Sequence, residues 1–558
     1  MKQNLYLPSG YRLEFWASGE GSFRINIDEK TVWQVPSFAK HPEFFKYHHR
    51  EACEVTVVTN APGAVLWAYG YQPQTVNEAG ITEFEFSEEG IFQRTGAEIE
   101  DWLRSDPERP VLHFSPIRQW MNDPNGLCKI GDTWHVFYQF HPASTDWGPM
   151  HWGHAVSKDL FKWTHLPVFI HPEHNYWQLG ATGGAFSGNA FEDRDGSRMF
   201  FYTERLPAYD LFNGYREVQK IARPGPGLLA AEAISLIIED RPEGVEHDFR
   251  DPKVWWDAAA EAYRMVLGAS IEGDPSVLLY GSPDGRRWSY LGPLYRAAPR
   301  FRACGARAVE CPDFFPLNGK WVLIMGFVGY TEPETGRHNL LFALVGDFVG
   351  DVFTPHSPEL QMLDFGTDFY AMQSFEADGR QIALAWLFNW EDRKPAGSPY
   401  SGELSLPREL HLDAQSRLCL PAALEFDAID FRAVLASDGS HNFGLSRATF
   451  KISLDGQLDQ THITATQNGV LCFEVTIEQG VITVRLPQDD GSISYRAQVG
   501  RAADLRLAHD CGIVEIFLDG GAICGTRRNY ANVSPDSVAI LSNASIWVGE
   551  RSNGGFGV

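Results

Sequence analysis

The chain has 558 residues, 44% hydrophobic and 21% charged, with 13% aromatics, 52 Gly and 33 Pro. That suits a large folded protein of two to four domains rich in β-strands and tight turns, and it excludes a disordered chain or a helical bundle. The formal net charge of −25 argues against nucleic acid and anionic membranes as partners.

No apolar run approaches the 18 residues of a membrane span. The start, MKQNLYLPSGYRLEFW, has Pro8, Gly10, Arg12 and Glu14 where a signal peptide needs unbroken apolar residues, so a cytoplasmic location is expected. The eight cysteines include no CxxC pair and read as reduced thiols. In chain order, residues 1–109 carry alternating strand-like runs such as Tyr11–Trp16, Glu54–Thr59 and Ala64–Tyr69. They form an additional β-rich domain, and Trp16, Trp33, Trp67, Tyr69 and Tyr71 are read as packing its core and an interdomain face. Gly96–Arg104 reads as a helix, as does Leu228–Ile238. The charged, Pro-bearing Arg104–Pro110 is a linker.

Residues 110–410 hold short apolar strands, among them His135–Phe140, Met199–Thr203, Val277–Tyr280, Trp321–Phe327, Leu341–Val345 and Ile382–Phe388. Beside them a polar cluster recurs. From Asp123 the steps are 64 residues to Ser187, 64 to Asp251, 59 to Glu310 and 58 to Asp368. A second echo, Ser157-x-Asp159-x-x-x-Trp163, returns 125 residues later as Ser282-x-Asp284-x-x-x-Trp288. A unit of about 60 residues holds four strands, and such units repeated radially are the blades of a β-propeller. Five units fill 110–410, with the polar clusters converging on one funnel. Residues 411–558 alternate again, with turns at Asp455-Gly456, Asp490-Gly491 and Asp519-Gly520, and read as a β-sandwich. The fold class is therefore all-β: a five-bladed β-propeller, a C-terminal β-sandwich and the N-terminal β-rich domain.

No Walker loop, Rossmann fingerprint or HExxH is present, so no cofactor and no metal are expected. Acidic residues instead sit in Trp-, Asn- and Gly-rich loops, which suits a sugar: aromatic faces cover the ring, and polar side chains bond its hydroxyls. Trp120-Met121-Asn122-Asp123-Pro124-Asn125-Gly126 resembles the signature of glycoside hydrolase family 32, the invertase, inulinase and levanase group. The resemblance continues in the family's order through Tyr138–Pro142, Trp152–Leu160, Phe186-Ser187-Gly188, Phe249–Lys253, Glu310–Phe315, Asp368–Ala371 and Leu406–Leu410. Val514–Phe517 resembles its C-terminal sandwich.

The resemblance implies a retaining hydrolase of terminal β-D-fructofuranosyl linkages in sucrose, fructo-oligosaccharides or fructans. Asp123 would be the nucleophile, Glu310 the general acid/base, and Asp251 the stabiliser of the transition state. Asn122, Gln139, Trp147, Ser187 and Arg250 match subsite positions, and Trp120, Phe186 and Trp386 are candidate walls. Asn122, Asn125 and the N–H groups of the Pro-Asn-Gly turn are expected to favour the ionised form of Asp123. Fructosyl transfer through the same intermediate is the alternative; a non-catalytic fructan-binding protein and a pentosan-active propeller hydrolase rank lower. The partner is a fructose-containing small molecule or oligosaccharide, and a homo-oligomer stays open.

Overall fold

The computed structural model describes residues 1–208, 214–246, 248–387, 390, 394–395, 397–436 and 441–552. Strands dominate throughout. The N-terminal region is two antiparallel sheets. One orders its strands Lys2–Leu7, Cys53–Thr59, Phe23–Ile27 and Lys30–Val35; the other orders Glu43–His48, Arg12–Ala17, Val65–Tyr71, Thr82–Phe86 and Ile91–Arg94. Side chains alternate along each strand. Leu13, Phe15 and Ala17 therefore meet Leu5, Phe23, Ile25, Val55 and Val57 in the core between these sheets. The opposite face of the same strand presents Trp16, which joins Trp67, Tyr69 and Tyr71 against Tyr138, Phe140 and Val168 of the central region. Glu14 lies on that face too, and Tyr69 and Tyr71 donate their hydroxyls to it at 2.6 and 3.0 Å.

The helix expected at Gly96–Arg104 runs Gly96–Ser105. Its start is fixed by a capping box, in which the Glu98 carboxylate accepts from the Thr95 N–H at 2.7 Å. The second expected helix is not one. Pro226–Leu228 is a single 3-10 turn, and Ala231–Ile238 is a strand paired with Tyr215–Pro224. Its Ala, Glu and Leu content favours a helix in isolation, but the neighbouring strand offers a ladder, and tertiary pairing overrides propensity.

The central region has, among the described residues, five sheets each built on four antiparallel strands; the fourth gains the short strand Gln361–Met362, and the fifth skips Tyr400–Ser401 between its second and third strands. Their first strands are Gln119–Ile130, Gly184–Glu192, Arg250–Asp257, Ala308–Leu317 and Tyr370–Ala377. Each first strand lies against the first strand of the next sheet, and the fifth returns to the first. Tyr400–Ser401 adds a short parallel strand to Gln119–Trp120. The Ile382–Phe388 run is the strand Arg380–Trp386; Phe388 lies outside the described residues. The fifth sheet continues past residue 410, because Leu418–Cys419 still pairs with His411 and Leu412.

The Ser-x-Asp-x-x-x-Trp echo is a turn between the third and fourth strands of the first and third sheets. Asp159 Oδ1 accepts from the N–H groups of Phe161 and Lys162, and Asp284 Oδ1 from those of Arg286 and Arg287. An aspartate that satisfies backbone donors two and three residues on is how such a turn is stabilised.

The C-terminal region packs two six-stranded sheets around Phe450, Ile452, Phe473, Val475, Ile516 and Val538. Its seam with the central region is polar and buried. Arg408 donates to Glu515 Oε2 at 2.7 Å and to Thr526 Oγ1 at 3.1 Å. His113 lies between Asp510 Oδ2 at 2.9 Å and Glu515 Oε1 at 3.3 Å.

Candidate active site

Every first strand of the five sheets carries an extra residue relative to its neighbour near the start of their pairing, and Gln119–Ile130 carries a second between Asn125 and Cys128. The registers break between Met121 and Pro124, Ala185 and Gly188, Arg250 and Lys253, Glu310 and Asp313, and Tyr370 and Gln373. In each case two residues stand opposite one, a β-bulge. A bulge frees a side chain and an N–H from the ladder, so five bulges aim five sets of polar groups at one place. The bulges begin at 121, 185, 250, 310 and 370, and they are the structural origin of the sequence period. Three of them hold non-glycine residues in left-handed backbone: Asp251 at φ +63°, Cys311 at +48° and Ala371 at +51°. Such conformations are held only where the surroundings enforce them.

The three carboxyl groups meet there. Asp123 Oδ2 accepts from the Ser187 hydroxyl at 2.6 Å, and Oδ1 from the Asn122 amide at 3.1 Å. The Cys311 thiol is 3.7 Å from the same Oδ2. The backbone N–H of the same Cys311 donates to Asp251 Oδ2 at 2.8 Å. Asp251 is itself held by its N–H, which donates to the Thr203 hydroxyl at 3.0 Å. Glu310 keeps 25% of its side chain exposed. Its Oε1 accepts from Arg250 at 2.8 Å, and its Oε2 from the Tyr370 hydroxyl at 2.9 Å. Arg250 is pinned behind by Glu217 at 2.9 Å and Asp248 at 2.6 Å, and Arg307 also pairs with Asp248 at 3.1 Å.

Electrostatics follow from this crowding. Burial raises the proton affinity of Asp123 above the usual carboxylate range; Ser187 opposes, and the Glu310 charge adds to the rise. Asp251 is pushed up to about 7 by burial, against the pull of Arg250, with Glu310 and Asp123 adding to the rise. The expected donors to Asp123 are thus only partly in place. Asn122 is one, but Asn125 is buried elsewhere. With its amide turned to satisfy both ends, it accepts from Gln139 Nε2 at 2.9 Å. Gln139 in turn donates to the Ala185 carbonyl at 2.9 Å, so Asn125 and Gln139 together brace the first sheet against the second.

Around the carboxyls, Trp147 and Phe186 are half-buried and meet edge to face at 6.3 Å. The Arg205 guanidinium lies over the Phe186 ring, 4.7 Å from its centre. Trp120 and Trp386, expected as walls, are only 1% and 2% exposed. Trp120 instead donates from Nε1 to Asn122 Oδ1 at 2.8 Å and so positions that amide. The ring facing solvent over them is Trp390, 43% exposed and stacked on Trp120 at 5.6 Å.

The fifth polar cluster also differs from expectation. Asp368 points away from the other carboxyls. It is fully buried in the C-terminal seam, where Oδ2 accepts from the Arg528 N–H at 2.8 Å. Tyr370 occupies the position in its place. Gly326 was the available signal: it interrupts an apolar strand, and a Cβ there would lie 2.7 Å from the Tyr370 oxygen. Sequence reading also missed Cys311, Thr203, Glu217 and Asp248; the contacts that bring the first three into the site span 33 or more positions, while Asp248 faces Arg250 two residues on. Among the described residues, no group of three or more His, Cys, Asp or Glu is placed to hold a metal ion.

Comparison with known proteins places this geometry. Residues 113–421 match the family model described as Glycosyl hydrolases family 32 N-terminal domain. The chain is 37% identical over 468 residues to a raffinose invertase of Escherichia coli, spanning 79% of this chain and 94% of that one. It is 34% identical over 376 residues to a sucrose-6-phosphate hydrolase of Zymomonas mobilis, spanning 64% and 71%. A solved glycoside hydrolase family 32 structure from Bifidobacterium adolescentis superposes with a TM-score of 0.86 at 22% identity and covers 99% of both chains. The shared fold therefore includes the N-terminal sheets.

Proposed function

Because the chain belongs to glycosyl hydrolase family 32, and is a glycosidase of the β-fructofuranosidase kind, we propose that it removes terminal β-D-fructofuranosyl groups from sucrose, fructo-oligosaccharides or fructans with retention of configuration. In this reading the five sheets are the blades of a propeller that begins near residue 110 and extends through Cys419. Residues 1–109 are an accessory domain, and the remainder is a β-sandwich.

One observation carries the mechanism: Asp123, Asp251 and Glu310 come together through Cys311 and Arg250. Glu310 gives its proton to the departing oxygen while Asp123 attacks the anomeric carbon, forming a covalent fructosyl-enzyme. Glu310, now a base, takes a proton from water, and the water oxygen displaces Asp123. Arg250 and Tyr370 hold one oxygen each of Glu310, which fixes its aim. Two buried aspartates beside a third carboxyl are uncomfortable as anions. The positive charge that grows on the fructosyl ring relieves that repulsion, so the site favours the transition state over the ground state. Asp251, aimed by the bulge, bonds the sugar hydroxyls.

The test is anomer-resolved NMR of the first fructose released, together with Asp123→Asn. Retention and loss of nearly all turnover are expected; inversion excludes Asp123 as nucleophile. Fructosyl transfer would use the same intermediate, and the ratio of free fructose to longer products at high sucrose separates the two outcomes.

A further inference from the structure

Trp147 stands on the loop between the strands Thr133–His141 and His151–Ser157, and what fixes that loop is not local. His141, buried at the end of its strand, has Nδ1 2.6 Å from the Asp146 carbonyl oxygen and Nε2 3.2 Å from the Trp177 indole nitrogen. A carbonyl only accepts and an indole N–H only donates. The ring is therefore neutral with its proton on Nδ1: it donates to Asp146 and accepts from Trp177. Burial, which pushes His141 below the usual imidazole range, favours the same state. The two rings also stack at 5.6 Å. A Cβ at Gly148 would lie 2.4 Å from the His141 ring, so the loop closes directly over it.

Trp177 is held from the other side. It sits on the short helix Tyr176–Leu179, preceded by Asn175, whose amide donates to the Pro42 carbonyl at 3.2 Å. The same segment begins with His171, whose ring lies 4.4 Å from Phe44 and stacks on Trp16 at 5.9 Å. Phe44 and Trp16 belong to the N-terminal sheets, and Pro42 stands just before the strand Glu43–His48. An unbroken line of contacts thus runs from those sheets through Trp177 and His141 to the residue beside Trp147.

We propose that His141 is a positioning residue that ties the Trp147 edge of the substrate pocket to the N-terminal region through Trp177. The proposal rests on reading that pocket as the fructosyl site. Neither His141 nor Trp177 has a hydrogen bond to the three carboxyls, so the link governs how substrate is held and not how the bond breaks.

The experiment uses the full chain and sucrose, with kcat and KM measured for wild type, His141→Asn, Trp177→Phe and the double variant. Asparagine keeps a donor toward Asp146 but does not reach Trp177; phenylalanine keeps a ring but loses the N–H. Each single variant is expected to raise KM about threefold to tenfold, the range set by one lost hydrogen bond, with kcat within about twofold. The double variant should be no worse than the weaker single one, since both cut the same link. Phe44→Ala, which touches only the far end of the line, should raise KM in the same way. Additive effects, or a fall in kcat at constant KM, overturn the proposal. If the wild type cleaves sucrose and the variants match its KM, the link alone has failed. If the wild type cleaves no fructoside, the reading of the pocket falls with it.

Discussion

Asp123 and Asp251 bind their protons more tightly than ordinary aspartates because both are buried near Glu310. The Asp123 charge adds to the rise at Asp251, so a pH profile reports the two aspartates as a pair. On the proposed mechanism the acid limb of kcat/KM lies above the ordinary aspartate value of about 3.9, because Asp123 must be ionised to attack. Glu310→Gln removes the charge that raises both. On an activated leaving group that needs no proton, this variant should keep measurable activity, and its acid limb should move to lower pH. On sucrose it should lose roughly two to four orders of magnitude. An unmoved limb, or equal loss on both substrates, would sink this account of Glu310. The three carboxyls were legible in the sequence because each stands in its own short motif. Tyr370 and Cys311 were not, because what they do depends on residues about 60 or more positions away. Trp386 looked like a wall because a tryptophan beside a polar loop has the same letters whether it lies in the core or above it.

At the scale of strands, the bulges are what turn a sheet into a site. Four-stranded sheets were readable from alternation and turn residues, and so was their period. The extra residue in each first strand was not, since a bulge leaves no composition of its own. The misread stretch 231–238 shows the complementary limit, where a helix-favouring composition yields to an available strand edge. Gly326 gives this scale a test. Gly326→Ala places a methyl group into the Tyr370 ring, and overpacking of this kind costs about 1–3 kcal/mol. The displaced tyrosine also frees one oxygen of Glu310, so kcat should fall by more than the stability loss explains. Tyr370→Phe should lower kcat with nearly unchanged denaturant midpoint. If alanine at 326 leaves both kcat and the midpoint untouched, Gly326 has no part in placing Tyr370.

The whole molecule is joined by charges that water does not reach. Burial alone would push His113 down, but Asp510 and Glu515 hold it up to about 9. A proton bound more tightly in the folded state stabilises it. That contribution is complete below pH about 6.5, the ordinary imidazole value, and disappears as pH rises through about 9. Urea midpoints measured across this window should fall for the wild type and change less for His113→Gln. Equal slopes would show that His113 is not the group responsible. None of this seam was visible in the sequence: Arg408 and Glu515 each sat in a family-like motif, and only the fold shows that the motifs are two halves of one ion pair.

The same seam sets a clock on synthesis. Residues 111–113 give their N–H groups to Asp510, and Gln119–Trp120, the start of the strand that bears Asp123, pairs with Tyr400–Ser401. At about 5–20 residues per second, the early strand waits roughly 15–60 s for its partner, and Val111 waits roughly 20–80 s for Asp510. Until then, on the proposed mechanism, the nascent chain holds Asp123 without a finished site around it. On that mechanism a growing polypeptide stays inert toward sugars until Asp510 has been made and the early strand is closed in.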